Sequence, residues 1–115
     1  MLEEIIKKYL DEKLDIPVHF VKPKDKPEQY VILHRIDGGE IDHISAGTLS
    51  AVCISKSSLN DALTLSHKVK VALNQSIELH QISSAKLGGE SGSVVASERG
   101  YEYELIFNFY YYEEE

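Results

Sequence analysis

Leu2, Ile5, Ile6, Tyr9 and Leu10 recur at helical spacing, with Leu14 beyond them, while acids and lysines fill the positions between. This pattern predicts an amphipathic helix of about 12 residues that needs a surface to lie on. Pro17 ends it, and "VHFV" at 18–21 predicts a short strand. Pro23 and Pro27 then bracket "KDK", so the next connection is expected to be stiff, extended and solvated. Its lysines and prolines also discourage pairing along an exposed strand edge.

From Glu28 to Asp37 the run "EQYVILHRID" is rich in β-branched, aromatic and aliphatic residues and predicts a strand. "GGEI" at 38–41 is expected to be a hairpin loop, and "DHISAGTLSAVCISK" returns as a long strand. In that hairpin His34 would face Ser45, with His43 diagonal to it. Gly47 inside the returning strand suggests a bulge or bend.

A second helix follows. Ser57 or Ser58 can cap it, and Asp61 stands three residues after Ser58, as in a capping box with Asp in place of Glu. Ala62, Leu65, Val69, Ala72 and Leu73 form its apolar face, widened by Leu59 and Leu63. "LHQISSAKL" at 79–87 is a strand candidate, and "GGESGSVVASERG" at 88–100 is expected to be a flexible loop rich in Gly and Ser. The closing run "YEYELIFNFYYY" is the clearest strand. Tyr101, Tyr103, Leu105, Phe107, Phe109 and Tyr111 would share one face, with Glu102, Glu104 and Asn108 on the other. The order is α-β-β-β-α-β-β. One α+β domain over residues 1–115, an antiparallel or mixed β-sheet covered by two α-helices, is the economical arrangement.

Composition narrows the function classes. The chain has 115 residues, enough for one core without metal or disulfide staples. A single cysteine, Cys53, cannot form an internal bridge and suits a reducing compartment. No apolar run approaches the roughly 18 residues of a membrane span, and the N-terminal stretch lacks the basic start of a signal peptide. The formal charge of −7 disfavours sequence-independent nucleic-acid binding, since counterion displacement needs a basic surface. "EEE" at 113–115 reads as a solvated acidic run.

Candidate chemistry is thin. His34 and His43 could hold two corners of a metal site, but a third ligand on their face is missing. Asp42, His43 and Ser45 stand close in sequence, yet neighbouring strand side chains point to opposite faces, so Asp42 cannot orient His43 as a triad requires. Cys53, between Val52 and Ile54, reads as a small buried hydrophobe. "GGESGSVV" lacks the Lys-Ser/Thr ending of a phosphate loop. The tyrosines of the last strand are flanked by acids, which argues against base stacking and for a core face. The residues read as a module that works by shape, without a catalytic or cofactor-binding constellation.

The N-terminal amphipathic helix followed by "PVHFVKPKDKPEQYVILHRIDGGEIDHISAGTLSAVCIS" resembles the tail terminator proteins of long-tailed phages, especially those from prophages of Gram-positive bacteria. In that family a proline-punctuated stretch leads through a Gly pair to a strand, here "TLSAVCIS" at 48–55. A helix, a further strand and a tyrosine-bearing strand follow, here "SSLNDALTLSHKVKVALNQ", "ELHQISSAKLGG" and "YEYELIFNFYY". The match covers nearly the whole chain and rests on collinear order. It departs at the basic "KPKDKP", where relatives often carry an acid before the first proline.

The resemblance implies a non-enzymatic virion protein without cofactor or metal. It would form a ring, typically a hexamer, on the head-proximal end of the tail tube, having assembled in the host cytoplasm. Its partners would be copies of itself, the tail-tube protein and the head-tail connector, with no sequence-specific nucleic acid and no membrane. The elbow residues Lys22, Pro23, Lys24 and Pro27 and the loop residues Val94, Val95 and Arg99 are the candidate assembly contacts. A head-tail connector or tail completion protein is the nearest alternative, and a small enzyme built around His34, His43 and a carboxylate a distant one.

Overall fold

The burial of Leu2, Ile6, Tyr9 and Leu10 follows from their spacing, which gathers them into one stripe on a helix (α1, Leu2–Lys13). A computed structural model describes residues 1–21, 23–24, 27–41, 44–97 and 100–112 of the chain. Glu3 and Glu4 in the first turn and Lys13 in the last complement the helix dipole, and Leu14 turns extended to end it.

The second helix (α2, Leu59–Gln75) begins at Ser58, whose extended backbone lets its hydroxyl oxygen accept from the Asp61 amide at 3.1 Å. Its buried face holds Ala62, Leu65, Val69, Ala72 and Leu73, as the periodicity requires, together with Ser66. Ser66 is satisfied within the helix by donating to the Leu63 carbonyl. Leu63, expected to widen the apolar face, is instead exposed.

Five strands form one sheet: β1 (Val18–His19), β2 (Gln29–Ile41), β3 (Ile44–Ser55), β4 (Ile82–Ser97) and β5 (Gly100–Tyr111), in spatial order β1-β2-β3-β5-β4. The fold is α+β and the sheet is mixed: β1 runs parallel to β2, and every other pair is antiparallel. A short 3-10 helix, Ser76–Glu78, links α2 to β4. The molecule measures 44 × 23 × 22 Å, its length matching the roughly 40 Å of a twelve-residue strand.

Both helices cover the same face. Val31, Leu33, Leu49, Ala51, Cys53, Leu105, Phe107, Phe109 and Tyr111 alternate along their strands to meet α1 and α2 in one core. Phe107 and Phe109 stack at its centre with ring centroids 6.1 Å apart. A smaller cluster, Tyr30, Ile32 and Ile54 with Val52, lies on the opposite side of the sheet.

The parallel pairing of β1 explains the proline elbow. Parallel neighbours cannot be joined by a tight hairpin, so β1 and β2 need a longer connection between His19 and Gln29. Because β1 pairs at only Val18 and His19, a short connection is enough.

Two expectations about loops are corrected. Residues 38–41 are strand, not a hairpin loop: Gly38 pairs with Gly47 and Ile41 with Ile44. His34 therefore faces Ser50 rather than Ser45, and Ser45 faces Glu40. The stretch 88–100 is not an open loop, since β4 runs to Ser97 and Gly89 through Ser93 pair along β5. Strand β5 is strongly β-prone on both sides, and its outer backbone groups need partners. That template overrides the weak strand propensity of the Gly and Ser residues.

Candidate interaction surface

Three connections that are remote in sequence meet at one end of the sheet. Gln29, Ser55 and Tyr101 stand side by side across β2, β3 and β5. The Lys56 amide donates to the Glu28 carbonyl at 2.9 Å, and the Ser57 hydroxyl donates to the Glu28 carboxylate. Gly100, in the left-handed region at φ 109, opens β5 beside Ser55; a Cβ there would lie 2.5 Å from the Ser55 carbonyl oxygen. Glu28 before β2, Lys56 and Ser57 after β3, and Gly100 at the start of β5 are thus brought to the same rim.

Of the residues expected to make assembly contacts, Pro23 and Pro27 are half-buried and Lys24 is exposed. The backbone of Val94 and Val95 runs in β4, at the irregular pairing between Ser93 and Ser97. Their side chains, and Lys22 and Arg99, lie outside the described residues, as do His43 and the acids at 113–115.

The sheet edges are the second feature. Strand β1 covers only Val31 and Ile32 of β2, so β2 from Leu33 to Ile41 has no strand on its outer side among the described residues. Strand β4 closes the other side, and no strand pairs with its outer edge among the described residues. Backbone donors and acceptors on such an edge are a template for another strand. A shallow groove of about 220 Å³ lies where the β2 edge becomes free, lined by Met1, Glu3, Phe20, Leu33, His34 and Arg35.

On the face away from the helices, the Ser50 hydroxyl donates to the Glu104 carboxylate at 2.5 Å and the Thr48 hydroxyl to the Asn108 carbonyl oxygen at 2.7 Å. Asp37, Thr48, Asn108 and Lys86 form one continuous row across four strands of this face. The row could not be seen from the sequence, because it depends on a register that the hairpin's true turn sets. The opposite face is locked near the same level by Arg35, which donates to the Tyr111 hydroxyl and holds Glu3 of α1 at 3.4 Å.

The titratable groups show no reactive centre among the described residues. No group of three or more His, Cys, Asp or Glu side chains there could hold a metal. Burial pushes the Cys53 thiol up to about 12, which keeps it protonated and unreactive in the fold. Burial first, and the nearby Glu78 carboxylate second, push Tyr9 up to about 12. Glu78 is held below its ordinary value, chiefly by its hydrogen bond with Lys13. His34 is exposed at the groove beside the β2 edge, where the neighbouring Glu3 is already engaged by Arg35. Among the described residues no helix is long and apolar enough to cross a membrane.

No protein-family model matches the chain, and no curated protein matches it.

Proposed function

We propose that this chain is the subunit of a ring that caps the head-proximal end of a phage tail tube, ending tube polymerisation and presenting a surface for joining the head. The observation that carries this reading is a one-sided sheet with an edge at each side unpaired among the described residues, joined to the collinear resemblance of its elements to tail terminator proteins. A subunit with two different free edges can receive one neighbour on each side, and such head-to-tail contacts close into a ring when the rotation permits.

The partners are further copies of the chain, the tail-tube protein on one side of the ring and the head-tail connector on the other. The ring is a hexamer, works without catalysis or cofactor, and resides in the virion after assembly in the host cytoplasm. Two patches serve it. The rim at Glu28, Ser57 and Gly100, with the elbow residues Pro23, Lys24 and Pro27 that lead to it in sequence, faces a ring partner above or below, and the strand edges face the neighbouring subunits.

The test is to add the purified chain to polymerising cognate tail-tube protein. Tubes capped at one end in electron micrographs, with the chain co-sedimenting, support the reading. Binding to connector rings without any effect on tubes would favour a connector or completion protein instead.

A further inference from the structure

We infer that copies of this chain join edge to edge, β4 of one pairing antiparallel with β2 of the next in the register Lys86–Asp37, Ala85–Gly38 and Ser84–Gly39. This rests on the self-association in the reading above and does not depend on what the ring caps.

Strand polarity is the first argument. Strands β2 and β5 run one way and β3 and β4 the other, because each of these neighbouring pairs is antiparallel. Copies related by rotation about an axis along the strands keep those directions. A neighbour's β2 therefore arrives antiparallel to β4 and continues the ladder without a break.

Charge is the second. The open-face row begins with Asp37 at the β2 edge and ends with Lys86 at the β4 edge, with Thr48 and Asn108 hydrogen-bonded between them. Both charged residues are exposed, and Lys86 makes no ion pair among the described residues. Setting one copy level with the next brings the lysine against the acid and makes the polar row continuous through the ring. Pairing β4 with itself about Ala85 would instead set Lys86 against Ser84, with no carboxylate to meet.

Bulges bound the contact. The β2 ladder shifts between Arg35 and Asp37, leaving Asp37–Ile41 regular. The β4 ladder shifts on both sides of Ser84–Leu87. Through the sheet these two regular stretches lie at the same level, so three rows can form between them. Gly38 and Gly39 fall in two of those rows, and a Cβ on Gly39 would meet nothing within 4 Å, so the edge there is open to an approaching strand. A contact so short and so twisted at its ends suits a closing ring better than an open-ended fibre.

Cysteine cross-linking tests the register. Facing Cα atoms in an antiparallel ladder are about 4.5–5.5 Å apart, within the span a disulfide can bridge. The native Cys53 is buried and does not compete. A chain carrying both Asp37→Cys and Lys86→Cys should oxidise into a ladder of covalent multimers ending at the closed ring. A mixture of the two single variants should stop at dimers, and each single variant alone should stay uncrosslinked. Dimers from Lys86→Cys alone would show β4 pairing with itself and overturn the proposal. Failure of the double variant to cross-link, while light scattering shows an oligomer, would overturn this pairing and leave the ring standing. A monomeric mass with no cross-links would remove both. A full ladder from a chain that ignores tail-tube protein would keep the pairing and remove the tube assignment.

Discussion

Leu2 of α1 occupies the space that a side chain on Gly47 of β3 would need: a Cβ at Gly47 would lie 2.6 Å from Leu2 Cδ2. The glycine therefore marks the close approach of α1 to the sheet, and the bulge expected there lies instead in β2, between Arg35 and Asp37. Gly47→Ala should destabilise the fold by about 1–3 kcal/mol, because the buried Leu2 must shift in a packed core. Gly39→Ala, with open space around it, should stay within about 0.5 kcal/mol. Urea unfolding of the two variants compares them, and equal midpoints would show that α1 does not dock on Gly47.

Phe107→Ala should cost about 3–5 kcal/mol, since the ring is fully buried and stacked on Phe109. Glu104→Ala, on the other face, would look neutral from the alternation of β5 alone. It accepts from Ser50, which is itself fully buried, so its loss strands a buried hydroxyl and should cost about 1–3 kcal/mol. Ser50→Ala combined with Glu104→Ala should recover part of that loss. A double variant no more stable than Glu104→Ala would contradict the coupling.

Ser58→Ala should cost about 1 kcal/mol by removing the acceptor for the Asp61 amide at the start of α2. Ser58→Asp should retain most of the stability. Thermal melts of the pair are sufficient, and an unchanged Tm for the alanine variant would mean the cap contributes nothing.

Alkaline pH should weaken the fold through Tyr9 and Cys53. Both hold their protons more tightly folded than unfolded, raised to about 12 from 10.0 and 9.0 respectively. Their contributions are therefore whole below those ordinary values and are lost as pH rises towards 12. Tyr9→Phe should flatten the decline above pH 10. Denaturant midpoints against pH measure it, and an identical slope in the variant would contradict the burial assigned to Tyr9. Glu78 acts in the opposite direction: its depressed value means its contribution is present at neutral pH and lost on acidification.

The parts of this fold legible in the sequence are those fixed by local periodicity. The stripe Leu2, Ile6, Tyr9, Leu10, the Ser58 cap and the alternation Leu105, Phe107, Phe109, Tyr111 each report their own burial. Pairing partners are not local. The glycines at 38 and 39 look like a turn, yet they sit in a ladder that runs on to Ile41 and Ile44. The Gly and Ser residues after Leu87 look like a loop, yet β5 recruits them as a strand. The row from Asp37 to Lys86 depends on both of these registers, so no reading of neighbouring residues could assemble it.

The ring itself is tested most directly by the mass of the chain in solution, measured by light scattering alone and with cognate tail-tube protein. One discrete closed oligomer, favoured by concentration and strengthened by the tube protein, is the expected result. A monomer under both conditions, or an open ladder of masses without a stopping point, would contradict it.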